Sequence, residues 1–253
     1  MNTYVLLAYS LAGLLTALLA LYVILDGFDL GVGMVSLLAD DEQQRDVMMK
    51  AIGPVWDGNE TWLVLLGGTL FGAFPLVYAL VLHALYIPVM LMLFGLIFRG
   101  VALEFREHAT HKRRWNYAFA LGSLLTAVAQ GFILGGWIQG IAVNGDVFSG
   151  TLWDWATPYS AFIAVSVATG YSLLGVTYLI HKTGGILQHL ARQWALKILV
   201  VLTGLSLGVM VATSFVQHRP FMDYLTSMQL VFPLLGLIFL QSQSSGSLES
   251  AWR

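Results

Sequence analysis

The sequence contains no cysteine and has few charged residues. Of its 253 residues, 10% are charged and 58% are hydrophobic, whereas soluble domains average about 25% charged residues. Without cysteine there are no disulfides, no thiolate-ligated iron–sulfur clusters and no cysteine nucleophile. The net charge of −2 provides no basic surface for nucleic acid. This composition favours a protein whose solvent is the lipid bilayer.

Long hydrophobic runs divide the chain, because about 20 apolar residues cross the hydrocarbon core of a bilayer. The stretch 54–98 is too long for one crossing, so we divide it near Phe74 and Pro75. We predict an all-α integral membrane protein, a bundle of about seven transmembrane helices within a single domain over residues 1–240. Residues 241–253 are polar, which predicts a disordered tail. The predicted spans are 5–25, 54–74, 76–98, 116–138, 158–180, 196–216 and 226–240.

The positively charged residues predict the orientation of the chain. Of the 12 Lys and Arg residues, all but Arg219 fall in the tail or in loops on one side of the predicted bundle. Positive charge accumulates on the cytoplasmic side, so we expect the amino terminus outside the cytoplasm, on the periplasmic side. The first run has no preceding Lys or Arg and is longer than the apolar part of a signal peptide, which predicts an uncleaved span.

An acidic, glycine-rich motif, Asp26 to Gly33, lies at the predicted cytoplasmic end of the first span. Ionisable groups near a membrane interior are costly, so each requires a reason. Asp26 and Asp29 share one face of a helix, and the spacing of Gly27 and Gly31 allows another helix to approach closely. One interpretation is a proton-accepting carboxylate pair beside a subunit interface. The alternative is that these acids lie among lipid headgroups and end the helix.

A second motif, Pro54 to Trp62, begins the second span on the same side. Acids in the first turn of a helix are favoured by the helix dipole, which is a sufficient structural reason for Asp57 and Glu60. Alternatively, Asp57, Asn59 and Glu60 form a hydrogen-bonded chain that passes protons inward. A proton intake requires carboxylates grouped around one entrance, and the two motifs together would supply them at the cytoplasmic ends of the first two spans.

Arg99 and the histidines bear on whether the chain holds haem. Arg99 closes the predicted third span, where its side chain can extend to the headgroups or can be buried against Asp29 or a haem propionate. His83 is the only histidine inside a predicted span. Since no two histidines are placed to ligate one iron from facing helices, and no H-E-x-x-H spacing occurs, we expect no metal in this chain.

The two motifs in this order, followed by Phe98 and Arg99, resemble the signatures of subunit II of cytochrome bd-type quinol oxidases, including the cyanide-insensitive type. The resemblance extends over spans one to six. It implies electron transfer from quinol to dioxygen, with formation of water and generation of a membrane potential. Two haems b and one haem d would be ligated by a partner, subunit I, and not by this chain, which alone would not be catalytic. Small single-span accessory subunits, membrane lipid and quinone are the other partners implied.

The resemblance also assigns roles to individual residues. It implies a proton path along Asp26, Asp57, Asn59 and Glu60, with Trp56 packed at its mouth, and a haem-proximal interface at Asp29 and Arg99. Members of the family are usually longer and have more spans than this sequence. Two other classes remain open, a proton-coupled secondary transporter and a purely structural assembly subunit. Transporters often contain broken helices that meet near the midplane, whereas these acids lie at helix ends, which favours the oxidase.

Overall fold

A computed structural model describes residues 3–217 of the chain. The chain divides into two compact units, Met1–Leu205 and Ser206–Arg253, and all contacts described below lie within the first. Apart from a two-stranded hairpin, the described elements are helical. In chain order they are α1 (Thr3–Val35), a 3-10 turn (Ser36–Leu38), α2 (Glu42–Ile52), α3 (Trp56–Ala73), α4 (Pro75–Ala84), α5 (Tyr86–Arg106), α6 (Lys112–Gln139), β1 (Val143–Asn144), β2 (Val147–Phe148), α7 (Pro158–Lys182) and α8 (Gly185–Gln217).

Five segments of the described chain are long and apolar enough to cross a membrane. They are Thr3–Leu38, Tyr86–Arg106, Lys112–Gln139, Pro158–Lys182 and Gly185–Gln217. The predicted fold class, an all-α integral membrane protein, is therefore confirmed. The predicted orientation stays a prediction. Arg219, the predicted span 226–240 and the tail 241–253 lie outside the described residues.

The helices extend further than the apolar runs that predicted them. α1 continues beyond residue 25 to Val35, so Asp26 and Asp29 lie inside the helix. The predicted span 76–98 corresponds to two helices, of which α4 ends at Ala84 and α5 continues to Arg106. A prediction from hydropathy places the end of a span at the first charged residue. The helix itself continues beyond that residue where the charged side chains pair with groups on neighbouring helices.

The charged helix α2 was not predicted, because it lies in a segment interpreted as a loop. The carboxylate of Asp41 accepts a hydrogen bond from the backbone N–H of Gln44 at 2.8 Å and caps the helix. Its apolar face buries Met48, Met49 and Ile52 in a core shared with the adjoining spans. We call the side of the bundle that carries α2 the α2 end.

Glycine allows α1 and α7 to pack in backbone contact. A Cβ atom on Gly31 would overlap the carbonyl oxygen of Tyr171, and one on Gly175 would overlap the backbone of Gly31. A Cβ on Gly27 would lie 2.9 Å from the ring of Tyr171. The small-residue spacing of α1 therefore receives a helix of the same chain. The close approach of another helix is thereby observed, while the subunit interface beside the carboxylate pair stays a prediction.

Candidate functional site

The guanidinium of Arg99 joins three helices inside the first unit. Its NH1 donates to Oδ1 of Asp26 on α1 at 2.5 Å, and its NH2 donates to Oε2 of Glu60 on α3 at 3.1 Å. The side chains of Arg99 and Asp26 are 0% and 1% exposed, whereas that of Glu60 is 26% exposed. The side chain is therefore buried rather than extended to the headgroups, and its acid partners are Asp26 and Glu60 rather than Asp29. Arg99 is a fully buried cation held between two acids.

A second contact between α1 and α3 adjoins this ion cluster. The side-chain amide of Asn59 donates to Oδ2 of Asp29 at 2.8 Å and reaches the backbone carbonyl of Leu25 at 3.4 Å. Asp29 is 0% exposed and Asn59 is 8% exposed. The two acids of the first motif are therefore held differently, Asp26 by a charge and Asp29 by a neutral amide.

The buried cluster is incompletely hydrogen bonded. Oδ2 of Asp26, Oδ1 of Asp29 and Nε of Arg99 are buried without a hydrogen-bond partner. Most buried polar atoms in proteins have a partner, either a protein group or ordered water. The two carboxylate oxygens therefore provide sites where a proton or a water molecule would be stabilised, and the Nε–H of Arg99 is a donor that a water molecule would accept from.

Trp56 lies between the buried cluster and the protein surface. Its ring is centred 5.8 Å from Cζ of Arg99, close enough for a cation–π interaction. Trp56 also lines a cleft of about 710 Å³ at the α2 end, whose wall includes Lys50, Glu104 and Glu107. One aromatic side chain thus contacts both the buried arginine and a polar cleft.

Asp57 is the predicted site residue that stays outside the cluster. It lies in the first turn of α3 with its side chain exposed, although close enough to Glu60 for the two charges to interact. The other predicted residues come together around Arg99: Asp26, Asp29, Trp56, Asn59 and Glu60.

Sequence analysis missed a second arginine cluster at the α2 end. Arg106 donates from Nε to Asn116 at 2.5 Å, from NH1 to Asp46 at 2.6 Å and from NH2 to Glu42 at 2.8 Å. Lys112 adds a 2.9 Å bond to Asp46. The only signal in the sequence is the acidic first half of α2, whose partners lie about 60 or more residues away. The cluster fixes α2 to α5 and α6.

The acids of this second cluster lie outside the spans and are held ionised. Burial by itself would raise the pKa of Glu42, but the hydrogen bond from Asn116 and the charges of Arg45 and Arg106 lower that pKa below its ordinary 4.5. For Asp46, burial is likewise outweighed by the hydrogen bonds from Lys112 and Arg106, and the pKa falls below 3.8. Both carboxylates therefore act as fixed negative partners for Arg106.

A third polar group, also missed, lies among the spans. Tyr171 donates its hydroxyl to Oε1 of Gln130, and Nε2 of Gln130 donates to the hydroxyl of Tyr22, each at 2.6 Å. Two features of the sequence point to it: Tyr22 precedes Asp26 by one helical turn, and Gln130 is an isolated amide within the apolar run of α6.

The described residues show no cluster of ligands for a bare metal ion. Among residues 3–217, no three His, Cys, Asp or Glu side chains lie together as such ligands would. His83, the histidine inside a predicted span, lies on α4 with its ring 5.1 Å from that of Phe148 in the hairpin. The expectation that this chain ligates no haem stays a prediction.

Comparison with known proteins finds one family and several relatives that are similar to this chain. The sequence model of the family described as "Cytochrome bd terminal oxidase subunit II" matches residues 7–252. The "Cytochrome bd ubiquinol oxidase subunit 2" of Bacillus subtilis (strain 168) is 36% identical over 182 residues, covering 70% of this chain and 54% of the relative.

Two further relatives show similar coverage. The "Cytochrome bd-I ubiquinol oxidase subunit 2" of Escherichia coli (strain K12) is 33% identical over 192 residues, which are 72% of this chain and 50% of the relative. The "Probable cytochrome oxidase subunit 2" of Haemophilus influenzae is 29% identical over 188 residues, which are 71% and 50% of the two chains. The chain spans about half the length of the curated relatives it matches.

Proposed function

Because the chain belongs to the cytochrome bd terminal oxidase subunit II family, we propose that it is subunit II of a quinol oxidase in the bacterial inner membrane. In this complex quinol supplies electrons, dioxygen is reduced to water, and a membrane potential is generated. The names of the relatives, each a subunit 2, support a partner, subunit I. Following the resemblance of the two motifs to subunit II, we assign the two haems b and the haem d to that partner.

The role proposed for this chain is to deliver protons from the cytoplasm to the partner's oxygen chemistry. One observation carries the proposal: exposure decreases stepwise along three acids, the inner two of which are linked by one arginine. Asp57 is exposed, Glu60 is 26% exposed and Asp26 is 1% exposed. Arg99 bonds to both Glu60 and Asp26. A proton carried inward along this series would therefore pass between groups held in fixed order.

The charge of the cluster favours proton binding. If Asp26, Asp29 and Glu60 were all ionised, three negative charges would face one positive charge from Arg99. Leaving an unpaired charge in a low-dielectric interior is strongly unfavourable, so the cluster is stabilised by taking up protons. The protons belong to the coupled group rather than to one carboxylate.

Each residue then has a part in the transfer. Asp57 attracts protons at the exposed start of α3, and Glu60 passes them to the buried cluster. Arg99 holds Glu60 and Asp26 on adjacent nitrogens and stabilises whichever of the two is ionised. Asp29, held by Asn59, extends the series along α1. Together these helices also form a scaffold for subunit I.

The test is oxygen consumption by the purified complex with single acids neutralised. Asp26→Asn should lower turnover about 100-fold, the lower part of the range for loss of a positioned acid or base. Asp57→Asn should lower it by roughly fivefold, since water can replace an exposed acid in part. Haem content should stay normal in both variants.

Asp146→Asn serves as the matched control, because Asp146 is an exposed acid in the hairpin turn between β1 and β2. Wild-type turnover in Asp26→Asn and Asp57→Asn would leave this chain an assembly subunit without a proton role. A reduced-minus-oxidised spectrum of the purified complex that lacked haem d would instead favour a proton-coupled transporter.

A further inference from the structure

The chain formed by Tyr171, Gln130 and Tyr22 links three helices on the side of Asp26 that faces away from the cleft. It runs from α7 through α6 to α1 by two 2.6 Å hydrogen bonds. Tyr22 is 3% exposed and Tyr171 is 6% exposed. Polar groups at such a depth cost free energy unless all of their hydrogen bonds are made, so a chain of three requires an explanation.

The hydrogen bonds in this chain all point in one direction. Tyr171 donates to Gln130, and Gln130 donates to Tyr22. A tyrosine hydroxyl has one hydrogen to donate, and that of Tyr22 is not used by Gln130. The last donor of the chain is therefore the O–H of Tyr22.

Asp26 is the acceptor available to Tyr22. The two residues are four positions apart on α1, and side chains at this spacing lie on the same face of a helix. Both side chains are buried, Tyr22 at 3% and Asp26 at 1% exposure. Oδ1 of Asp26 is occupied by Arg99, while Oδ2 is buried and has no partner.

We propose that Tyr22, supported by Gln130 and Tyr171, is a positioning residue that donates to Oδ2 of Asp26 and closes the inner end of the proton path. This inference rests on the proposed function and concerns residues that the path itself does not include. Asp26 is then held from two sides, by Arg99 through Oδ1 and by Tyr22 through Oδ2.

The chemistry of the amide explains why the chain closes the path rather than continuing it. To pass a proton from Tyr22 to Tyr171, Gln130 would have to give up an amide hydrogen and take one on its carbonyl oxygen. A carboxamide is a donor and an acceptor of hydrogen bonds but not a group that titrates in proteins. Protons therefore reach Asp26 from the side of Arg99 and Glu60 and do not continue through Gln130 to Tyr171.

The experiment compares hydroxyl-deleting variants in the purified oxidase complex. Tyr22→Phe keeps the ring and removes the donor, and should lower oxygen consumption about tenfold, the effect of losing one hydrogen bond to a charged group. Gln130→Leu and Tyr171→Phe should have successively smaller effects, because they are one and two bonds further from Asp26. The solvent isotope effect on turnover should rise in Tyr22→Phe, since proton transfer through Asp26 becomes slower.

Tyr178→Phe is the matched control. Tyr178 also lies on α7, and its hydroxyl bonds to the backbone carbonyl of Ala51 at 2.8 Å instead of to this chain. Its turnover and isotope effect should match those of the wild type. If Tyr22→Phe fails to assemble, Gln130→Leu provides the same comparison, because it removes the donor that orients Tyr22.

A double variant separates positioning from a structural contribution. In an Asp26→Asn background, Tyr22→Phe should cause no further loss, because a residue acting through Asp26 has nothing left to position. The same fractional loss in both backgrounds, or wild-type turnover in Tyr22→Phe, would overturn the inference. Wild-type turnover in Asp26→Asn alone would overturn the proposed function itself, which keeps the two failures distinct.

Discussion

Helix α5 carries two buried arginines, Arg99 and Arg106, that face different surroundings. They lie about two helical turns apart, and each is hydrogen bonded to two acids on other helices. Arg106 uses Nε, NH1 and NH2, whereas Nε of Arg99 has no partner. The acids of Arg106 are 47% and 30% exposed, while Asp26 beside Arg99 is 1% exposed.

The difference indicates how one residue type serves two purposes on one helix. A fully bonded network holds its members in one arrangement and contributes to stability. An incompletely bonded network in a dry environment retains sites for protons. The Arg106 cluster is therefore interpreted as the attachment of α2, and the Arg99 cluster as the candidate proton site.

The largest effect is expected from Arg99→Met, which leaves Asp26 without its cation. Removing one member of a buried ion pair costs about 3–5 kcal/mol, so the free energy of unfolding of the complex in detergent should fall by about that amount. Turnover per haem should also be lost. Thermal or denaturant unfolding, with oxygen consumption, measures both.

A second substitution sharpens this prediction. In Arg99→Met combined with Asp26→Asn, the unpaired negative charge at Asp26 is gone, so stability should recover in part while turnover stays low. If the double variant were as unstable as Arg99→Met, the loss would reflect packing of the long side chain and not its charge.

A smaller effect is expected from Arg106→Gln. Glu42 and Asp46 can turn towards water when their partner is removed, so the free energy of unfolding should fall by about 1.5–3 kcal/mol. Protease should cut α2 more readily, but turnover per haem should be unchanged. Arg114→Gln, at an exposed position in the first turn of α6, is the control, and a loss of turnover in Arg106→Gln would contradict the contrast between the two arginines.

The smallest expected effect is the pH dependence of the free energy that holds α2 against α5 and α6. Because the folded-state pKa values of Glu42 and Asp46 lie below their ordinary 4.5 and 3.8, their contribution is fully present above those values and is lost as the pH falls through the folded-state pKa. Both acids are partly exposed, so the effect should be under about 1 kcal/mol. Hydrogen-exchange protection of the α2 amides, corrected for the intrinsic exchange rate at each pH, should decrease in acid, and Glu42→Gln should weaken that dependence; an equal decrease in both would exclude Glu42 as the cause.

The spacing of the motifs predicted most of the candidate site but not its pairing. Asp26, Asp29, Asn59 and Glu60 were recognised because acids near a membrane interior require a reason. The partner of Arg99 could not be predicted, since Asp26 is 73 positions and Glu60 is 39 positions away in the sequence. The same limitation concealed the Tyr22 chain, whose members lie on separate helices.

By itself, the sequence determined that the chain lies in a membrane, where most of its helices run, and which acids are costly enough to need a role. These are local properties, set by the length of apolar runs and the position of charges along them. The tertiary structure decided that α7 fills the glycine face of α1, that Arg99 is buried between Asp26 and Glu60, and that Asp57 stays exposed. The partner of a buried charge depends on how helices distant in sequence pack, and local pattern does not contain that information.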